Sequence, residues 1–247
     1  MKLKPFVLAF AATLAIASNA QASLEGRDLD GNAMTFEAYY DTALDITWLA
    51  DANYARTSGY DSDGKMSWSD AMTWAENLVV GNVDTWRLPT LSPLDSVAFS
   101  TGFTYGGMTD VGYNISAAGT MYAGSTASEL AYMYYVTLGN MSRYDISGID
   151  NGCFVNASNT CLDNTGPFTN IQAAGMWTDA AYPLDATRAW TFRMGDGAQG
   201  SNPMSSDRYA WAVASGDVAA IPEPETWAMM LAGLALVGYN LKRRRQN

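Results

Sequence analysis

Apolar residues gather at both ends of this chain as well as in its middle, and this constrains the fold most, because segments cut away or held in a membrane add nothing to a globular core. The C-terminal segment reads Pro222-Glu223-Pro224-Glu225-Thr226, then an apolar stretch from Trp227 to Tyr239, then Lys242-Arg243-Arg244-Arg245. An apolar helix followed at once by four cations favours the bilayer and resists translocation, so the basic cluster reads as a stop that stays cytoplasmic. As a helix, 226–241 covers roughly 24 Å, short of a ~30 Å hydrocarbon core. Such a span suits transient residence in the membrane before cleavage; a permanently tail-anchored structural protein is the alternative. At the other end, Lys2 and Lys4 precede an apolar run from Phe6 to Ile16, and Ala20-Gln21-Ala22 supplies the small-x-small pattern of a signal peptidase site. The expected organisation is a signal peptide over 1–22, a globular domain over 23–221 and a sorting segment over 222–247.

Removing the ends sharpens the charge. Six of the 14 basic residues and two of the 25 acids lie there, so the body carries eight bases against 23 acids, a net −15. That surface repels phosphate backbones, which excludes nucleic-acid binding, and it favours solubility or divalent cations outside the cell. Histidine is absent, so neither a Ser-His-Asp nor a Cys-His centre can be built. The two cysteines, Cys153 and Cys161, bracket an Asn-, Ser- and Thr-rich loop, and export places them where disulfides persist. A bridge closing a surface loop is expected, worth about 2 to 3 kcal/mol in the loop-entropy model.

Gly, Asn, Asp and Ser punctuate short segments throughout, the pattern of a mixed fold with long loops. One helix is expected from Ser67 or Ser69, with Trp68, Ala71, Met72, Ala75 and Leu78 at helical spacing and an end at Gly81. A second runs from Ser128 through Leu130, Met133, Tyr134, Val136 and Leu138 to Gly139-Asn140. A third, shorter one spans Leu91 to Phe99, with Ser92 as N-cap and Pro93 at the first helical position. Strands are expected at Ile46–Leu49, Met176–Ala180, Arg188–Met194 and Tyr209–Ala214, with Gly195 to Pro203 as an extended hairpin connection.

Pro222-Glu223-Pro224, the short apolar helix and the Arg-rich end together resemble the PEP-CTERM sorting signal of exported proteins in exopolysaccharide-producing Gram-negative bacteria. The resemblance implies brief passage through the inner membrane at 226–241 and cleavage by an exosortase, a membrane cysteine transpeptidase. The protein would then reach the cell surface or extracellular matrix. In that bacterial setting the Asn-x-Ser triplets at Asn114, Asn140 and Asn156 read as chance. A second resemblance covers the body from Leu44 to Asp217. Leu44-Asp45-Ile46-Thr47-Trp48-Leu49, Trp68-Ser69-Asp70-Ala71-Met72-Thr73-Trp74-Ala75, Trp86-Arg87-Leu88-Pro89-Thr90, Arg188-Ala189-Trp190-Thr191-Phe192 and Tyr209-Ala210-Trp211-Ala212-Val213 look like the DUF1566 domain. That family is similar to the C-terminal domain of the Legionella collagen-like adhesin. It implies an α+β, C-type-lectin-like or formylglycine-generating-enzyme-like scaffold of two or three helices, small antiparallel sheets and long loops, flanked here by the N- and C-terminal hydrophobic helices. No motif of that enzyme's chemistry stands in this chain. The adhesin binds sulfated glycans, against which the −15 charge of this body argues.

Trp68, Trp86, Leu88, Trp190 and Trp211 are expected in the core, with Arg87 paired to a carboxylate or capping carbonyls and Pro89 forcing an extended turn; Arg87 clamping a ligand carboxylate is the alternative. Among loop residues, Tyr105, Tyr113, Tyr122 and Tyr182 are candidates for stacking on sugar rings. A calcium site, the one cofactor considered, would use Asp51, Asn53, Asp61 and Asp63, although Lys65 follows Gly64 and no Glu closes an EF-hand loop. The other reading of these acids is a set of Asp turns. The expected function is non-catalytic: an exported surface or matrix protein, processed by signal peptidase and exosortase, that binds extracellular polysaccharide or another matrix component. The alternative activity is a glycan hydrolase using paired carboxylates, of which no pair stands out.

Overall fold

Segments of two to seven residues between glycine, asparagine and aspartate turns pair into two sheets, and the chain passes from one to the other. The computed structural model describes residues 23–32, 34–155 and 159–218, and position 234. The expected signal peptide, Pro222 to Pro224, the basic cluster Lys242 to Arg245 and all of the expected span except Leu234 lie outside the described residues. Among the described residues no helix is long and apolar enough to cross a membrane.

The strands are β1 (Leu24–Arg27), β2 (Ala38–Asp41), β3 (Ile46–Leu49), β4 (Lys65–Met66), β5 (Trp86–Arg87), β6 (Phe103–Thr104), β7 (Val111–Gly112), β8 (Gly175–Ala181), β9 (Arg188–Arg193), β10 (Ala198–Pro203), β11 (Arg208–Tyr209) and β12 (Val213–Ser215). One sheet has the order β1-β2-β3-β12-β5 and the other β4-β11-β8-β9-β10-β7-β6. Pairing is antiparallel except for β8 with β11 and β6 with β7. Among the described residues of 23–218, three short α-helices complete a mixed α/β fold: α1 (Tyr54–Thr57), α2 (Trp68–Glu76) and α3 (Glu129–Tyr132).

A tryptophan-rich core joins the layers. Trp48, Trp177, Trp190 and Trp211 are all 0 % exposed, and large flat rings of this kind bury the most apolar surface per residue. The indole N–H groups of three tryptophans tie segments together: Trp211 Nε1 donates to Leu49 O at 2.8 Å, Trp177 Nε1 to Met66 O at 2.9 Å and Trp68 Nε1 to Thr178 O at 2.8 Å. Trp48 and Trp211 lie 4.6 Å apart, with Phe168 edge-on to Trp211.

Helix α2 starts where a serine is available to cap it: Ser67 is extended and its Oγ accepts from Asp70 N. It ends at Asn77, whose amide donates to Thr73 O, four residues before Gly81. Ser128 caps α3, its Oγ accepting from Ala131 N. The expected regular helix beyond it widens into a π-helical turn over Met133–Thr137. That turn carries Tyr134 and Tyr135 side by side, both rings against Phe192.

Three local expectations are corrected. No helix forms over Leu91 to Phe99, because Ser96 takes a left-handed backbone and the Asp95 carboxylate takes the N–H groups of Val97 and Ala98. Asp110 accepts from Leu94 N at 3.0 Å and Ser100 N at 2.7 Å, Asp95 accepts from Val97 and Ala98, and Ser96 is left-handed at φ 60°. The connection from Gly195 to Pro203 is shorter than expected, since Ala198–Pro203 is itself a strand paired with β9. Its Ala-Gln-Gly-Ser-Asn-Pro sequence lacks the β-branched and aromatic residues that advertise a strand. Tyr209 to Ala214 is two strands: β11 pairs with β4 and β8, β12 with β3 and β5, and the fully buried Ala210-Trp211-Ala212 is the crossing between sheets.

Candidate functional site

The Trp-Arg-Leu-Pro-Thr block lies in and against the core. Trp86 and Leu88 are 2 % and 1 % exposed, and Trp86 Nε1 donates to Val83 O. Arg87 reaches Glu129 with both terminal nitrogens, while its Nε donates to Ser215 and Nη1 also to Leu88 O. Pro89 O accepts from Asp179 N, and Thr90 N donates to Glu129 Oε2. One carboxylate thus organises the block, leaving the guanidinium committed within the protein.

The residues considered for calcium stand in consecutive turns. Asp51 accepts from Asn53 N and Thr57 Oγ1, Asp61 from Asp63 N and Gly64 N, and Asp63 from Lys65 N and Nζ. The Lys65 hydrogen bond holds the Asp63 carboxyl below its ordinary range. Asn53 is buried, and its amide donates to Asp63 O at 3.5 Å. The acids that converge are a different set: oxygens of Asp28, Asp30 and Glu37 lie within 4.8 Å of one another. The signal for them was the Asp28-x-Asp30-Gly31-Asn32 spacing, and part of their charge is met by the N–H groups of Leu29, Asp30 and Gly31.

The described loops bring one group of aromatic residues to the surface. Phe103, Tyr105, Tyr113 and Tyr144 pack with centroids 5.0 to 6.1 Å apart, Tyr105 and Tyr113 being stacked. Phe103 is 59 % and Tyr105 36 % exposed, whereas Tyr113 is buried. Asn114 holds the group rigid: left-handed at φ 61° and buried, it donates its amide to both Tyr105 O and Tyr144 O at 2.8 Å. Gly107, left-handed at φ 63°, allows the backbone to pass, since a Cβ there would lie 2.3 Å from Asn114 O. Beneath, Tyr113 Oη meets Asp196 and Arg193, which form an ion pair with each other. Burial, with the Asp196 charge adding to it, pushes the Tyr113 phenol up to about 12. Arg143 lies over Tyr144 and over Phe154, beside the Cys153–Cys161 disulfide.

Of the four tyrosines singled out, Tyr105 and Tyr113 thus meet, while Tyr122 packs against the core and Tyr182 lies edge-on to Trp190. Phe103 and Tyr144 were not anticipated; Phe103-x-Tyr105 alternation was the available signal for the first. Asn114 and Asn140 are buried with both side-chain amides donated to backbone carbonyls, so neither triplet presents a free amide.

Comparison with known proteins adds two matches. The family model of the Lcl C-terminal domain covers residues 37–214. That of the PEP-CTERM protein-sorting motif covers residues 220–246. No curated protein and no solved structure matches the chain.

Proposed function

We propose that this chain, which belongs to the Lcl C-terminal domain family, is a non-catalytic adhesion module that holds extracellular polysaccharide or another matrix component. Its PEP-CTERM motif marks it for export and exosortase processing at the envelope of a Gram-negative bacterium. The observation that carries the adhesive reading is the exposed aromatic face of Phe103 and Tyr105, backed by Tyr113 and Tyr144 and clamped by Asn114. Sugar rings stack their C–H faces on such surfaces, and a platform that is already ordered loses little entropy on binding. A C-type-lectin-like description of the scaffold is supported by small sheets carrying long loops. Absence of histidine removes the commonest general base. Co-sedimentation of the purified protein with exopolysaccharide of the producing strain is the test: a hydrolase would release reducing ends, and a purely structural surface protein would stay in the supernatant.

A further inference from the structure

Three of the eight basic residues between Ser23 and Ile221, namely Lys65, Arg193 and Arg208, line a single hollow on the seven-stranded sheet. Its volume is about 330 Å3. Strand register explains the hollow: Gly175 pairs with Arg193, Gly200 with Thr191 and Asn202 with Ala189, so these residues share one face. Glycine, alanine and threonine leave the space above them open. Trp177 lies on the same face but is buried against β4, donating to Met66 O.

The charges of this hollow are unequally matched. Arg193 pairs with Asp196, and Lys65 with Asp63 at 2.9 Å, its ammonium lying over the Tyr209 ring. Among the described residues Arg208 donates to neutral oxygens alone, Nη2 to Asn202 Oδ1 at 2.6 Å and Nη1 to the Asp207 carbonyl at 2.8 Å. Asn202 is itself oriented, its amide donating to Thr191 Oγ1 at 2.8 Å. Asp207 is the one acid lining the hollow. In a body of net charge −15, three cations and one acid thus line this spot, with Asp63 and Asp196 each paired to one of the cations.

We propose that the hollow binds one carboxylate-bearing sugar, a uronate unit at an end or branch of a polysaccharide, with Arg208 as the principal contact and Lys65 and Arg193 as a supporting field. A guanidinium matches a carboxylate through parallel N–H bonds. The volume sits at the small end of ligand pockets, about 300 to 1,000 Å3, as a single ring requires. A densely charged polyanion would meet the acidic body on every side, whereas one carboxylate needs chiefly Arg208, which hydrogen-bonds no carboxylate among the described residues. The site is separate from the aromatic face and stands or falls independently of it.

The test is calorimetric titration of the full-length protein with a disaccharide of glucuronate and a neutral sugar, against the same disaccharide with its carboxyl reduced to the alcohol. Saturable binding of the acid form is expected, weakening with salt, and none of the reduced form. Arg208→Gln and Asn202→Asp should each weaken binding by about tenfold or more. Asn202→Asp keeps an oxygen acceptor for Arg208 while neutralising its charge, so this variant should melt no lower than wild type even if Arg208→Gln folds poorly. Equal binding of the reduced disaccharide, unchanged binding by the folded Asn202→Asp variant, tighter binding of a polysulfated polysaccharide, or no binding of the acid form would each overturn the assignment.

Discussion

Arg87 and Glu129, 42 residues apart in the chain, meet end to end: Nη1 lies 2.8 Å from Oε2 and Nη2 lies 2.9 Å from Oε1. The pair fastens the end of β5 to the first turn of α3, and Oε2 also takes the N–H of Thr90. With the Glu129 side chain 9 % exposed, removing one partner leaves the other charge poorly solvated. Glu129→Gln or Arg87→Met alone is expected to cost about 3 to 5 kcal/mol in urea unfolding, and Arg87→Met combined with Glu129→Leu markedly less than the two added. Additive losses would show that the two side chains act separately.

Asp179 gives the fold a pH dependence. It accepts from Leu91 N at 3.2 Å, and burial pushes its carboxyl up to about 6, with Glu129 adding to the shift and the Leu91 N–H and Arg87 opposing it. A carboxyl raised in the folded state contributes stability below its unfolded pKa of about 4 and loses it as pH rises; for Asp179 the loss is complete above about 6. Asp179→Asn keeps the acceptor for Leu91. It should be more stable than wild type by about 1 to 2 kcal/mol at pH 7.5, the gap closing towards pH 4. A gap that stays constant across that range would place the effect elsewhere.

Trp86 is 2 % exposed at the centre of the family block. Trp86→Ala is expected to cost about 3 to 5 kcal/mol through lost contacts and the cavity left behind. Unchanged chemical denaturation in that variant would remove Trp86 from the core.

At the aromatic face the expected pattern is the reverse. Phe103→Ala with Tyr105→Ala changes exposed rings, so the melting temperature should move by only a few degrees, while co-sedimentation with exopolysaccharide is lost. Retained co-sedimentation would mean that this face does not hold the polymer.

The Cys153–Cys161 bridge spans a sequence separation of eight. Replacing both cysteines by serine should lower stability by about 2 to 3 kcal/mol, mainly by freeing the unfolded chain. A loss well beyond that would point to packing around Phe154 and Arg143 as an added contribution.

Residue chemistry and local spacing determined much of this protein. The sorting segment, the disulfide, the caps at Ser67 and Ser128 and strands such as Ile46–Leu49 were legible because each rests on neighbours within a few positions or on a single residue type in one compartment. Tertiary structure decided what depends on partners far along the chain. Asp110 bridges the N–H groups of Leu94 and Ser100 across a segment whose Ser96 is left-handed, where Ser92-Pro93 would otherwise begin a helix, and Trp211 divides one apparent strand because its neighbours pair with two different sheets. Both candidate surfaces have the same origin: Tyr105 meets Tyr144, and Lys65 shares a hollow with Arg208, across gaps of 39 and 143 positions. Spacing along a chain specifies which face of a strand a side chain occupies, whereas strand register specifies what stands beside it, and register is settled only when the sheet forms.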